Sequence, residues 1–347
     1  MKAIVVRQPG RTDVMKIESV PEPVAGPKDV VLKVGACGVC FHDVLTRNGT
    51  LRAGIKMPCI LGHEIAGTVV DVGRDVRQFK IGDRVASAQR YHICGACNFC
   101  RTGRESQCAE RKFLGDYGLV GGYAEYVAIE DDNLALIPDN VAFDGAAIAA
   151  CAIGTILNGI RDVGKLQVGE STLITGAGGG LGLHAVQLAR QTGAYVIAQT
   201  TSPDKVELVR SMGAHEVVLH ARGEDFSPKV KKLTDGKGVD VLIDNVGTPL
   251  FDAMRKSLAQ SGRWIMIGQL TGEFVPFNPA QLFLKNQSMY SVMSTSRRQL
   301  EDVLTLMKRG QIKPVITASF PLEEAAKAHE LVETGKAVGR IVMRPNG

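Results

Sequence analysis

The spacing of apolar positions changes character part-way along the chain. Up to about residue 150 they come in short β-branched runs, such as AIVV at 3–6, DVVLKV at 29–34 and IAGTVVDVG at 65–73, cut apart by Gly, Pro and Asp. Such runs predict the short strands of an all-β, partly open barrel. From about 155 the runs alternate with segments of helical period. STLITGAG predicts a strand and turn, LGLHAVQLARQTGA a helix, YVIAQTT a strand, PDKVELVRSMGA a helix and EVVLH a strand. A polar helix near 225–234, the strand VDVLIDNVG, a helix near 249–259 and the strand RWIMIG complete the series. Strands alternating with helices of this length imply right-handed crossovers and a parallel sheet.

After a helix at 296–309 the pattern becomes mixed again, and the closing run GRIVMRP has the character of a strand able to rejoin the first barrel. The predicted architecture is therefore α/β. A doubly wound, Rossmann-type domain over 155–290 interrupts a β-barrel catalytic domain made of 1–154 and 291–347. The chain shows no internal repeat and no low-complexity tail.

Composition narrows the class. At 347 residues, 45% hydrophobic and 22% charged, the chain suits two globular domains with a core each. The formal charge of +5 comes from 41 basic and 36 acidic residues spread along the chain. With no basic block, nucleic acid is not an expected partner, while a weakly positive field favours an anionic ligand such as a phosphorylated cofactor. The N-terminus lacks the apolar run of a signal peptide. The longest weakly polar stretch, 145–157, is far short of the ~20 residues of a membrane span. The expectation is a cytoplasmic protein, whose eight cysteines serve as metal ligands, catalytic groups or core fillers rather than disulfides.

Half of those cysteines cluster. Cys94, Cys97, Cys100 and Cys108 form C-x2-C-x2-C-x7-C within a polar lobe at about 90–112. Short C-x2-C turns let successive sulfurs converge on one tetrahedral zinc, and four thiolates leave no position open. This site is expected to be structural, crosslinking a loop with little hydrophobic content of its own.

The remaining candidates are dispersed: Cys40 in GVCFHD, His63 in LGHEIAG and Cys151 in AACAIGT. Two cysteines and one histidine with a vacant fourth position make a catalytic zinc arrangement. The order GVCFHD, GHEIAGTVVDVG, IGDRV, the four-cysteine lobe, GGYAEYV and a glycine-rich turn after a strand resembles the zinc-containing medium-chain alcohol dehydrogenase family over essentially the whole chain. The resemblance implies a GroES-like catalytic domain, two zinc ions per chain, and Cys40, His63 and Cys151 as catalytic ligands. It also places Asp43 and Glu64 beside the metal. Asp43 would orient His63 by accepting its second ring N–H, and Glu64 either approaches the ion during ligand exchange or stays a neighbouring carboxylate. Cys37 and Cys59 read as core. At position 42 most members place Ser or Thr as a proton relay, and this chain has His42, which either takes over the relay or marks a branch acting on other substrates.

TLITGAGGGLGLHAVQLA supplies the strand, turn and helix a dinucleotide fingerprint requires. Gly176, Gly179, Gly180 and Gly182, with Leu181, are expected to bring the backbone against the pyrophosphate at the helix N-terminus. An NAD-selective site places an acidic residue at the end of the next strand. Here that position is Thr200, followed by Thr201 and Ser202, with Lys205 one turn on. Hydroxyls and a lysine suit a 2′-phosphate, so NADP is favoured over NAD; Thr201 and Ser202 can also cap the helix at Pro203. By the family pattern Thr155 contacts the nicotinamide side, while Asn245, Val246, Gly247 and Gly268 line the crevice at the sheet's carboxyl edge.

The reading that follows is a zinc-dependent alcohol dehydrogenase acting on a small molecule. A rival comes from NGIRDVGKLQVGE, ITGAGGGLG, TTSPDK and IDNVGTPLFD, which resemble the acryloyl-CoA reductase and quinone oxidoreductase branches, where NADPH reduces an activated carbon–carbon double bond without a metal. The intact ligand set favours alcohol–carbonyl chemistry. A non-catalytic descendant would show eroded ligands or glycines, and none is eroded. The alternating segment 286–294 reads as an edge strand, which in the family pairs across a two-fold axis, so a homodimer or homotetramer is expected.

Overall fold

The computed structural model of the chain describes residues 1–51 and 54–347, which form two compact units. One comprises Met1–Gly154 and Ser294–Gly347, the other Thr155–Met293.

The discontinuous unit is built on a seven-stranded sheet whose centre is the long strand Asp29–Val39. That strand pairs antiparallel with Glu64–Val72, with Tyr126–Glu130 and with the closing strand Arg340–Met343. A second, three-stranded sheet joins Lys2–Val6 to Met15–Ser19 and Cys59–Ile60. Between them lies one core, including Val30, Leu32, Val34, Ile60, Ile65, Tyr123, Ile341 and Met343. The helix Arg297–Lys308 buries Leu300, Val303, Leu304 and Met307, the i, i+3, i+4, i+7 stripe its sequence carries. Its start is fixed by a reciprocal cap: Gln299 N–H donates to the Ser296 hydroxyl (3.2 Å), and the Gln299 side chain accepts from Ser296 N–H (2.8 Å).

The contiguous unit is a six-stranded, all-parallel sheet. Its spatial order is Glu216–Leu219, Tyr195–Thr200, Ser171–Ile174, Val239–Asp244, Leu258–Met266, Ser288–Ser291. Numbered along this unit the order is 3-2-1-4-5-6, the doubly wound dinucleotide arrangement. The strands are apolar nearly throughout because helices cover both faces. The segment expected as an edge strand occupies one edge of this sheet over Ser288–Ser291. The helix expected near 249–259 is shorter, Phe251–Ser257, because Leu258 already pairs with Val239. Among the described residues no helix is long and apolar enough to cross a membrane.

Candidate metal and nucleotide sites

Cys40 is the residue before the helix Phe41–Asn48, so its sulfur lies where the helix dipole favours an anion. His63 and Glu64 come from the start of the strand Glu64–Val72, and Cys151 from a wider, π-helical stretch, Ala149–Gly154. These segments carry the Cys40, His63, Glu64 and Cys151 donors to within 4.8 Å of one another, the Cys40 and Cys151 sulfurs 3.9 Å apart. Zinc–sulfur bonds of about 2.3 Å in a tetrahedron require sulfurs about 3.8 Å apart, so the donors fit that ion.

Asp43 braces the set from beneath. Its Oδ1 accepts His63 Nδ1–H (3.2 Å) and Gly62 N–H (3.2 Å), and its Oδ2 accepts Cys40 N–H (3.0 Å). His63 therefore presents Nε2 to the other donors. Hydrogen bonding from Cys151, then from His63, holds the Cys40 thiol well below its usual range despite burial. Glu64 is fully buried and ion-paired with Arg340, and burial raises its carboxyl to about 7 in spite of that partner. A side chain on Gly38 would meet Glu64 Oε2 at 2.1 Å, which is why the strand beneath carries glycine there.

His42 lies beside this set, its ring 5.1 Å from that of His63 and 5.6 Å from Phe113. Its Nε2–H donates to Asp116 Oδ1 at 2.8 Å. Burial opposes the charged imidazole, but the Asp116 bond prevails and raises its pKa. Cys37 and Cys59 are core, as expected from the sequence, and burial pushes the Cys59 thiol up to about 12.

In the second cluster the Cys94–Cys100, Cys97–Cys100 and Cys94–Cys108 sulfurs are 3.9, 3.5 and 3.6 Å apart. The spacing again fits one tetrahedral zinc. Backbone N–H groups of Ala96 and Cys97 stabilise the Cys94 thiolate and lower its pKa to about 7. A two-stranded ribbon, Arg90–His92 with Lys112–Phe113, closes the base of the lobe.

In the other unit, Gly176 opens a turn at the end of the strand Ser171–Ile174, and the helix Gly182–Gln191 follows it. A Cβ on Gly182 would lie 2.3 Å from the Gly176 carbonyl, so only glycine lets the helix start this close to the strand. Gly179 N–H donates to the Gly176 carbonyl (3.0 Å), which tightens the turn, and Leu181 precedes the helix. Asn245, Val246 and Gly247 form the adjoining turn, where buried Asp244 accepts from Val246 N–H (3.0 Å), Gly247 N–H (2.8 Å) and Trp264 Nε1–H (3.1 Å). Gly268 packs against the Asn245 carbonyl, 2.4 Å from where a Cβ would stand. This backbone-lined cradle, beside a helix start and at the point where strand order reverses, fits a dinucleotide pyrophosphate. Gly180 continues the turn, and Thr155 is buried at the start of this unit.

At the end of the second strand the structure corrects one expectation. Ser202 does not cap the following turn with its side chain; instead the buried Thr200 hydroxyl accepts Ser202 N–H (3.2 Å). Thr201 follows it, half-buried. Lys205 is 9% exposed and lies over Gly178, its Cδ 2.7 Å from where a Cβ would be. Sequence reasoning missed Arg340, Asp116, Asp244 and Gln199. Only Gln199 left a signal, as a lone amide in an apolar strand.

Residues 26–139 match the alcohol dehydrogenase GroES-like domain, and 180–309 match the zinc-binding dehydrogenase domain. The chain is 35% identical to an acryloyl-coenzyme A reductase of Sulfurisphaera tokodaii, over 99% of this chain and 100% of that protein. The solved structure of AibC superposes with a TM-score of 0.93 at 42% identity, covering 100% of this chain and 96% of AibC. That of an NAD-dependent alcohol dehydrogenase gives 0.94 at 32%, with 99% of each chain covered. The chain belongs to the family of zinc-binding, medium-chain alcohol dehydrogenases and their relatives. It is an oxidoreductase of that family.

Proposed function

We propose that the protein interconverts an alcohol and its aldehyde or ketone with a nicotinamide dinucleotide, NADP in preference to NAD. The observation that carries this reading is the convergence of Cys40, His63, Glu64 and Cys151 donors within 4.8 Å. Cys40, His63 and Cys151 would hold a zinc ion, which would supply a Lewis acid for the substrate oxygen, and a bound nicotinamide would supply or take the hydride. Asp43 fixes the tautomer of His63. Arg340 holds the Glu64 carboxylate, the candidate fourth donor during ligand exchange. His42, steadied through Nε2 by Asp116, is the group placed to take the substrate proton towards solvent. A second zinc in the Cys94, Cys97, Cys100, Cys108 lobe is structural.

In the nucleotide cradle, Gly176, Gly179, Gly180, Leu181 and Gly182 receive the pyrophosphate, with Asn245, Val246, Gly247, Gly268 and Thr155 towards the nicotinamide. NADP is favoured because Thr200, Thr201 and Ser202 replace the usual carboxylate and Lys205 lies over Gly178 of the glycine-rich turn. The protein works in the reducing cytoplasm, where clustered cysteines serve as metal ligands rather than disulfides. It is a homodimer or homotetramer, paired through the edge strand Ser288–Ser291, near which Phe283, Leu284 and Met293 are 67%, 75% and 49% exposed.

A second reading has its own support. The Sulfurisphaera relative at 35% identity is an acryloyl-coenzyme A reductase, and His42 stands where alcohol dehydrogenases carry a hydroxyl. The test is NADPH and NADH oxidation with panels of aldehydes, ketones and enoyl thioesters. Carbonyl turnover abolished by chelation and by Cys40→Ala supports the first reading. Turnover of enoyl thioesters alone, indifferent to chelation, replaces it with the second.

A further inference from the structure

Gln199 is the one amide of the largely apolar strand Tyr195–Thr200 and is 2% exposed. Its side-chain Oε1 accepts Gly176 N–H at 2.9 Å, and its backbone carbonyl accepts Ala177 N–H at 2.9 Å. One residue thus holds two successive N–H groups of the glycine-rich turn. The other end of the amide, Nε2, meets Nε2 of His220, a buried imidazole packed on Phe226 with ring centroids 4.8 Å apart. The second nitrogen of His220, Nδ1, is 2.8 Å from the Ala221 carbonyl.

The order of protons follows from the last contact. A carbonyl only accepts, so Nδ1 carries the hydrogen and Nε2 is the acceptor. The face of Gln199 towards His220 must then be its NH2, which leaves Oε1 aimed at Gly176. A hydrocarbon at 199 would strand both the Gly176 N–H and His220 Nε2 inside the unit, where an unmade hydrogen bond is costly.

We propose that Gln199 and His220 are positioning residues for the dinucleotide, locking the Gly176 peptide so that the rest of the turn offers its N–H groups to the pyrophosphate. Gly176 sits at φ +59°, a conformation in which a glycine peptide otherwise has freedom to swing. The inference rests on reading the turn as the nucleotide cradle.

The experiment is a fluorescence titration of the intact protein with NADPH, and separately NADH, beside thermal melting, for wild type, Gln199→Met, His220→Phe and the double variant. Gln199→Met is expected to weaken NADPH about tenfold, the worth of one lost hydrogen bond. The double variant, which removes the imidazole acceptor that Gln199→Met leaves unpaired, melts above Gln199→Met yet binds NADPH no better. Affinity within twofold of wild type in Gln199→Met overturns the inference, as does affinity that recovers together with melting temperature in the double variant. Should Gln199→Met not fold, His220→Phe decides: its amide is released to reverse, so wild-type affinity there overturns the inference equally. A wild type that binds neither nucleotide overturns the cradle itself, a distinct result.

Discussion

Glu64 and Arg340 form a buried ion pair across 276 residues of sequence, joining the strand that carries His63 to the closing strand of the chain. The two side chains are 0% and 6% exposed. Removing one partner of such a pair leaves a buried charge without its pairing group, at a cost of about 3–5 kcal/mol. Arg340→Met is therefore expected to lower stability by that order in urea titration. Arg340→Met with Glu64→Gln recovers much of the loss, since the uncompensated carboxylate is gone.

The two sulfur clusters should separate in their effects. Elemental analysis is expected to give two zinc ions per chain. Cys94→Ser removes one and lowers the melting temperature by several degrees, because the lobe has little else to hold it. Cys40→Ala removes the other and abolishes turnover while the melting temperature moves little. One zinc in wild type contradicts this division.

His42→Ala is expected to reduce turnover about a hundredfold if the imidazole moves the substrate proton. Asp116→Asn, which keeps a partner for Nε2 but removes its charge, falls between. Rates measured across pH for both variants check the assignment, and an unchanged His42→Ala rate removes the relay.

His329 sets an acid limit. Burial, chiefly, depresses its pKa from 6.5 to about 4, with Arg47 adding to the effect. The unfolded chain then takes up a proton that the folded one refuses. From this group, stability is constant above about 6.5 and falls as pH drops from there towards about 4, by at most about 1.4 kcal/mol per unit. The Tyr123 hydroxyl lies 3.0 Å from His329 Nε2, and His329→Gln, which keeps a hydrogen-bonding partner for it, flattens this limb. Denaturant unfolding at steps between those pH values measures it.

Much of this was legible in the chain. The change from short β-branched runs to alternating strand and helix near 155 marked where the fold changes because period is a local property. The C-x2-C-x2-C-x7-C run could be recognised for the same reason, its donors being neighbours in sequence. Arg340 and Asp116 escaped because their meaning lies in a partner far along the chain. Ser202 misled in the opposite sense: Ser before Pro is a good local cap, and a buried Thr200 hydroxyl took the bond instead.

The pairing of Arg340–Met343 with Asp29–Val39 also sets a timetable. On the ribosome the nucleotide unit is complete, and free to fold, once residue 293 has emerged. The first-made unit must wait for Arg340–Met343 to pair with its central strand and to bring the guanidinium that neutralises Glu64. Its cysteines are synthesised early, yet their pocket is finished last, so a metal bound at the Cys40 cluster is expected to load after synthesis. A ribosome that stalls or a protease that clips before residue 340 would disable the centre 276 residues upstream.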